Sequence, residues 1–128
     1  MTRDAVHAPS APAAVGPYSH AVRHGGLLFL SGQAPLDPET GTVVEGGIQA
    51  QSRQVFANLA AVLYSAGASL DDVLKTNIYL TNLEDFQAVN AIYAEHFAEP
   101  YPARTTIGVA GLPLGILIEI ELVARLPH

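Results

Sequence analysis

The 128-residue chain has no cysteine, no tryptophan and a single lysine, Lys75. Without cysteine it can form neither a disulfide framework nor a thiolate zinc site, and it has no cysteine nucleophile. Charged residues make up 14% of the chain, against about 25% in typical domains. The formal net charge is -6, so the sequence predicts no basic groove for nucleic acid.

Long hydrophobic stretches are also missing. The most apolar window, residues 108–118, is 11 residues long and contains Pro113, which makes it too short to span a bilayer. Residues 1–14 are rich in alanine and proline but contain no continuous apolar segment of the kind found in a signal peptide. These absences favour a cytoplasmic protein, with residues 1–14 as a loose leader and residues 15–128 as a single domain.

The scarcity of charge contrasts with a hydrophobic content of 49%. A small domain of this composition has too few charged side chains to cover its surface. We therefore expect part of an apolar face to be buried between subunits, the alternative being a monomer rich in alanine and glycine.

The pattern of apolar residues predicts a mixed sheet of strands with two helices. Helical spacing changes to strand alternation and back along the chain. The predicted elements are a hairpin at 18–31 turned by Gly25 and Gly26, a helix at 48–66, a strand at 73–80, a second helix begun by Asn82 and stopped by Pro100, and two final strands. Both helices are expected on one face of the sheet, which leaves the other face to water or another subunit.

The two final strands, 102–109 and 116–123, are expected to form a hairpin. Each alternates, and turn residues lie between them. Placing the apolar side chains of both on one face would set Arg104 opposite Glu121 and Thr106 opposite Glu119 on the other face. The sequence therefore predicts a patch that holds one arginine and two glutamates.

Arg104 is a candidate anchor for an acidic small molecule, because a guanidinium can grip a carboxylate with two parallel hydrogen bonds. The alternative is a surface arginine paired with Glu119 or Glu121. Glu119 is a candidate base, since a nearby cation would keep its carboxylate ionised and able to accept a proton from water. The alternative for both glutamates is a solvated sheet face.

Other polar residues have two readings each. Tyr18, Ser31 and Thr106 carry hydroxyl groups near the ends of strands, where sites gather, although each could bond to local backbone instead. Asn90 interrupts the apolar face of the second helix, so its amide needs either backbone or a ligand as a partner. His20 and His24 lie in a predicted strand, and the sequence predicts no metal site.

Several segments, taken in their order along the chain, resemble the RidA/YjgF family of reactive-imine deaminases. The match covers nearly the whole chain after residue 14. The segments are Gly16-Pro17-Tyr18-Ser19-His20-Ala21, Leu30-Ser31-Gly32-Gln33, Asp37-Pro38-Glu39-Thr40-Gly41, Asp72-Val73-Leu74-Lys75-Thr76, Asp85-Phe86-Gln87-Ala88-Val89-Asn90, Pro102-Ala103-Arg104 and Ile118-Glu119-Ile120-Glu121. The resemblance implies a chorismate-mutase-like α+β fold, assembled as a homotrimer with a ligand cleft at each subunit boundary.

The resemblance also implies roles for particular residues. Arg104 would hold the substrate carboxylate and Glu119 would activate water, while Tyr18, Ser31, Gly32 and Asn90 would line the cleft. Thr106 occupies a position where several members carry cysteine. The implied reaction is hydrolysis of 2-imino acids, or their enamine tautomers, to 2-keto acids and ammonia without a cofactor.

Other functions remain open at this stage. Some relatives resemble deaminases of larger, aminomuconate-type substrates. Others have been described as endoribonucleases or translation inhibitors, although the acidic balance and single lysine of this chain argue against RNA binding. A non-catalytic module that binds carboxylate metabolites, or acts as a chaperone for partners, is a further alternative.

Overall fold

A computed structural model describes residues 2–127. Six strands form one mixed sheet in the order β1-β2-β3-β6-β4-β5. The strands are β1 (Asp4–Val6), β2 (Ala21–His24), β3 (Leu27–Gln33), β4 (Val73–Leu80), β5 (Ala103–Gly108) and β6 (Ile118–Arg125). The helices are α1 (Gly47–Ser65) and α2 (Phe86–His96), so the predicted α+β class with two helices is confirmed.

One face of the sheet carries the core. Alternate residues of the central strands are fully buried against α1, whose Phe56 and Leu59 have no exposed surface. The strand residues on this face include Ile78, Leu80, Ile118, Ile120 and Leu122. A hydrogen bond of 2.9 Å between the hydroxyl groups of Tyr93 on α2 and Thr76 on β4 puts the second helix on the same face. No helix of residues 2–127 lies over the opposite face of the sheet, called the open face below.

Strands β2 and β3 form the predicted hairpin. Gly25 and Gly26 occupy the turn with φ angles of 57° and 82°. Two consecutive positive φ values are the requirement of a type I′ turn, and its twist matches that of the flanking strands. Glycine adopts both angles without steric cost, and the turn sets the pairing of Val22 with Phe29.

The predicted hairpin of the last two strands is wrong. Strand β4 lies between β5 and β6, pairing parallel with β5 and antiparallel with β6. Helix α2 explains the parallel pairing, because it connects β4 to β5. Two neighbouring strands that are joined by such a helical crossover run parallel. Strand β5, which has no fully buried side chain, takes the edge of the sheet.

The loose leader expected at residues 1–14 is also wrong over its described part. Strand β1 pairs with β2, and Ala8 and Ala11 are buried in the core. The ring of His20 joins this segment to the domain, because Nδ1 accepts a hydrogen bond from the Ala8 amide at 3.1 Å and Nε2 donates to the Pro12 carbonyl at 2.8 Å. Small apolar side chains and a satisfied imidazole thus anchor the segment. Met1 and His128, at the ends of the predicted ranges, lie outside the described residues.

Candidate functional site

Arg104 is half-buried in β5 and faces helix α2. Its guanidinium carbon lies 4.8 Å from the centre of the Tyr93 ring and 5.5 Å from that of Phe86. The Tyr93 ring is fixed in turn by its hydrogen bond to Thr76. Ring faces attract a cation. The guanidinium makes no side-chain hydrogen bond to any of residues 2–127, so its N–H groups are available for a carboxylate.

No acidic side chain pairs with Arg104 within residues 2–127. The salt bridges there join other residues, Arg23 with Asp4, Arg53 with Glu95 and Arg125 with Asp72. The expected alternative, an arginine paired with Glu119 or Glu121, is therefore not found in the described chain. A half-buried guanidinium without a counter-ion is a group prepared to receive an anion.

A cavity of about 310 Å³ lies beside the guanidinium. Its lining residues are Asn90, Tyr93, Ala94, Tyr101, Pro102 and Arg104. The Asn90 side chain makes no hydrogen bond to any of residues 2–127, so the backbone partner considered for it is not found there. Its amide and the guanidinium are thus two polar groups in a cavity of the size that small ligands occupy.

Thr106 lies two residues after Arg104 and therefore on the same side of β5. Its hydroxyl oxygen is buried and has no hydrogen-bond partner within residues 2–127. A buried hydroxyl group without a partner is uncommon. Arg104, Asn90 and Thr106 together form a group of polar side chains on the helix-covered face, called the arginine half-site below.

Glu119 is on the opposite face. Arg104 pairs in register with Thr76 of β4, whereas Glu119 pairs with Tyr79. Positions 76 and 79 are an odd number of residues apart, so their side chains point to opposite sides of the sheet. The expectation that Arg104 and the two glutamates share one patch is wrong within a single chain.

The carboxylate of Glu119 lies across Gly32 of β3. A Cβ atom built on Gly32 would be 3.0 Å from the Glu119 carboxyl carbon and closer still to one of its oxygens. Gly32 has no positive φ, so space rather than backbone freedom explains the glycine. The absence of a side chain at position 32 lets the carboxylate fold over the neighbouring strand.

The protonation of Glu119 differs from the expectation. Burial raises the pKa of its carboxyl group, and the charge of Glu121 raises it further. The cation expected to keep it ionised is absent from its surroundings in the described chain, because Arg104 faces the other way. Within one chain, Glu119 therefore becomes ionised only at a higher pH than an ordinary glutamate.

Tyr18 and Ser31 line another cavity, of about 710 Å³, together with Phe29. Tyr18 is 49% exposed in the loop before β2, whereas the Ser31 hydroxyl donates a 2.6 Å hydrogen bond to the Ser19 carbonyl. The backbone reading of Ser31 is thus confirmed for its donor, although its oxygen can still accept a bond. Tyr18, Ser31, Gly32 and Glu119 are called the glutamate half-site below.

Sequence reasoning missed three aromatic residues at these half-sites. Phe86, Tyr93 and Tyr79 were not among the candidate site residues. The seven-residue spacing of Phe86 and Tyr93 puts them on one face of α2, and the strand that follows this helix brings Arg104 to that face. This seven-residue spacing could have indicated from the sequence that the two rings lie together near Arg104.

The fold and the half-sites can now be compared with known proteins. The family model described as Endoribonuclease L-PSP matches residues 8–126. This chain belongs to the RidA/YjgF family. It is 43% identical over 116 residues to the 2-iminobutanoate/2-iminopropanoate deaminase of Dermatophagoides farinae, covering 91% of both chains. It is 47% identical over 126 residues to the chloroplastic Reactive Intermediate Deaminase A of Arabidopsis thaliana, covering 98% of this chain and 67% of the relative.

A solved structure of this family shows the same fold. The crystal structure of RidA from the Antarctic bacterium Psychrobacter sp. PAMC 21119 superimposes with a TM-score of 0.92 at 46% identity, covering 96% of this chain and 99% of that one. The mixed sheet with two helices is therefore the Rid architecture.

Two further features concern metals and membranes. Within residues 2–127, no three histidine, aspartate or glutamate side chains lie close enough together to hold a metal ion. No helix in the same range has the length and apolar character needed to cross a membrane.

Proposed function

We propose that the protein hydrolyses 2-imino acids, or their enamine tautomers, to 2-keto acids and ammonia. The observation that carries this proposal is Arg104, a half-buried guanidinium held between Tyr93 and Phe86 without a carboxylate partner in the described chain. It lines a cavity with the unbonded amide of Asn90. A small molecule that carries a carboxylate group is the ligand that these two side chains would recognise best.

The reaction also needs a base, and within one chain Glu119 cannot reach this cavity. We therefore propose a homotrimer in which the arginine half-site of one subunit meets the glutamate half-site of the next. Three features favour it: the open face has no helix over it, Phe29 on that face is 44% exposed, and charged residues are few. An exposed apolar side chain on a sheet face without a helix is typical of a subunit interface.

In the proposed cleft, Arg104 grips the substrate carboxylate and so fixes the position of the neighbouring C2 carbon. The carboxylate of Glu119 removes a proton from a water molecule as the water oxygen bonds to C2, while the C=N double bond becomes a single bond. Glu119 then returns this proton to the nitrogen. As the C–N bond breaks and ammonia leaves, the regenerated Glu119 carboxylate takes the proton of the C2 hydroxyl group, whose oxygen becomes the carbonyl of the 2-keto acid. Asn90, Thr106, Tyr18, Ser31 and the backbone of Gly32 would complete the walls of the cleft.

The proposed chemistry requires no cofactor. A protonated imine is already electrophilic at carbon, so binding the carboxylate and orienting one water molecule supply what the reaction needs. The names of the Dermatophagoides farinae and Arabidopsis thaliana relatives, a 2-iminobutanoate/2-iminopropanoate deaminase and a Reactive Intermediate Deaminase A, support this assignment.

The description of the family model as an endoribonuclease raises a second possibility. The chain has a net charge of -6 and one lysine, and a surface that binds an RNA backbone needs the opposite balance. Charge therefore weighs against a nuclease.

The test is an ammonia-release assay with 2-iminopropanoate and 2-iminobutanoate generated in place from amino acids. We expect the unmodified protein to accelerate release, and Arg104→Ala to lower kcat/KM by about 100-fold or more, because a desolvated charge pair is lost. Arg104→Lys keeps the positive charge but cannot form two parallel hydrogen bonds to a carboxylate. Its kcat/KM should therefore lie between those of the unmodified protein and Arg104→Ala. Binding of a 2-keto acid without any acceleration of hydrolysis would instead support the non-catalytic binding module.

A further inference from the structure

Tyr79 joins the two glutamates of the open face. Its hydroxyl group donates a hydrogen bond to Oε1 of Glu121. The residue opposite Tyr79 on β6 is Glu119, whereas Glu121 lies opposite Asn77. The side chain of Tyr79 therefore extends past Glu119, its direct neighbour on β6, to reach Glu121, its diagonal neighbour. A long aromatic side chain can span this distance.

The two carboxylates are placed so that the charge of Glu121 acts on Glu119. Glu119 and Glu121 are two residues apart on β6, so both point to the open face. Like charges at this spacing make ionisation harder, and the charge of Glu121 is the second cause, after burial, of the raised pKa of Glu119. Whatever reduces the charge that Glu121 presents should therefore ease the ionisation of Glu119.

Tyr79 remains a donor at any pH near neutrality. The hydrogen bond to Glu121, followed by burial and by the charges of both glutamates, raises the pKa of its hydroxyl group to about 12. A hydroxyl group that keeps its proton spreads part of the charge of Glu121 and fixes the direction of that carboxylate.

The remaining charged residues near this part of the open face have partners elsewhere. The Nζ atom of Lys75 on β4 bonds to the Thr105 hydroxyl at 3.2 Å, and Arg125 on β6 pairs with Asp72 at 3.0 Å. On the other side of Glu119, strand β3 presents Ser31 and Gly32, neither of which titrates. Within residues 2–127, Glu121 is the charged side chain that shifts the pKa of Glu119.

We propose that Tyr79 is a positioning residue that acts through Glu121 to set the charge state of Glu119. The naming of Glu119 as the base rests on the proposed function, whereas the coupling of the three side chains does not. Loss of the Tyr79 hydroxyl would leave the full charge of Glu121 facing Glu119, and loss of the Glu121 charge would remove the repulsion altogether.

The experiment titrates Glu119 directly and through catalysis. The intact protein is prepared with ¹³C-labelled glutamate, and Glu119→Gln identifies the Glu119 carboxyl resonance. We expect Tyr79→Phe to move the titration midpoint of Glu119 to higher pH and Glu121→Gln to move it to lower pH. In the double variant, Tyr79→Phe should have no further effect, because its route through Glu121 is gone.

The acid limb of the kcat/KM profile should move in the same directions. Tyr64→Phe, a change of the same size on an 83% exposed tyrosine of α1, should move neither curve. The proposal is overturned if Tyr79→Phe does not change the titration midpoint of Glu119. It is also overturned if Tyr79→Phe shifts that midpoint by the same amount in the presence and in the absence of the Glu121 charge.

The two proposals can fail separately. If the resonance moves as expected but no variant hydrolyses an imine, the coupling stands and the proposed function fails. If the unmodified protein hydrolyses imines but the resonance does not move, the proposed function stands and the role of Tyr79 is rejected.

Discussion

The two faces of the sheet carry opposite and unmatched charges. On the helix-covered face, the guanidinium of Arg104 lies between aromatic rings without a carboxylate partner in residues 2–127. On the open face, Glu119 and Glu121 lie side by side, and burial together with mutual repulsion raises the pKa of Glu119. The arginine half-site thus lacks an anion and the glutamate half-site lacks a cation within one chain.

This contrast bears on how the site must be built. The sheet separates the two half-sites, and the hydrophobic core that fixes its strands prevents either group from turning to the other side. A cation and an anion that cannot meet within a chain can still meet between chains. The four predictions below test that conclusion, beginning with the largest expected effect.

The first prediction is recovery of activity on mixing two inactive variants. Arg104→Ala and Glu119→Gln should each lower ammonia release by about 100-fold or more. After joint unfolding and refolding, an equal mixture should regain about a quarter of the unmodified activity, the share of boundaries that receive both intact residues in a cyclic assembly.

The control is a mixture of Arg104→Ala with the double variant Arg104→Ala/Glu119→Gln. Because this mixture contains no intact Arg104, it should regain no activity. No recovery in the test mixture, with assembly confirmed by light scattering, would mean that the two residues do not act in one shared cleft.

The second prediction concerns the apolar part of the open face. Phe29→Glu should convert the assembly to monomers, since a buried unpaired charge costs about 3–5 kcal/mol. Activity should fall with it although no residue of either half-site is replaced. Sedimentation and ammonia release measure the two effects. Tyr64→Glu, on the outer surface of α1, is the matched change and should alter neither. A fully active Phe29→Glu monomer would contradict the idea of a divided site.

The third prediction separates position from charge at Glu119. Gly32→Ala should displace the Glu119 carboxylate, because the new methyl group would occupy its place. We expect kcat/KM to fall by about tenfold or more, as small misplacements of catalytic groups do. Gly111→Ala provides the control, since no atom lies within 4 Å of the position of its new Cβ. Equal activities of the two variants would show that Glu119 need not lie over Gly32.

The smallest expected effect is on stability. A carboxyl group whose pKa is raised in the folded chain favours folding when protonated, so its ionisation lowers stability as the pH rises from the unfolded pKa through the folded one. In the Phe29→Glu monomer at pH 8, Glu119→Gln should therefore raise the melting temperature by at most a few degrees, because solvent screens a half-buried charge.

Glu119→Gln should raise the melting temperature less in the proposed assembly without the Phe29→Glu change. There, Arg104 of a neighbouring copy would already favour the ionised form of Glu119. Glu39→Gln, in an exposed loop, controls for the loss of a surface charge. A larger gain in the assembly than in the monomer would argue against the meeting of the two half-sites.

Local pattern predicted the parts of the fold that depend on neighbours in sequence. Strand 73–80 agrees with β4, the helix at 48–66 begins and ends one residue earlier as α1, and Gly25 with Gly26 makes the expected turn. The order of strands in the sheet could not be obtained in this way, because alternation shows which residues of a strand share a face but not which strands are neighbours.

The candidate site was predictable to the same degree. Arg104 and Glu119 were chosen because their chemistry is unusual in apolar strands, and that choice depends on residue type alone. Their placement on opposite faces depends on β4 lying between β5 and β6, which follows from the crossover through α2. The rings around Arg104 are likewise a product of topology, since Phe86 and Tyr93 come from a helix that precedes it in the chain.

The imidazole of His20 has a consequence for anyone who shortens this protein. Its two nitrogens are bonded to Ala8 and Pro12, and the ring is two residues away from Tyr18. Removing the first dozen residues would leave a hydrophobic gap at Ala8 and Ala11 and would loosen the loop that carries Tyr18. We therefore expect a chain trimmed in this way to melt at a lower temperature than the full chain.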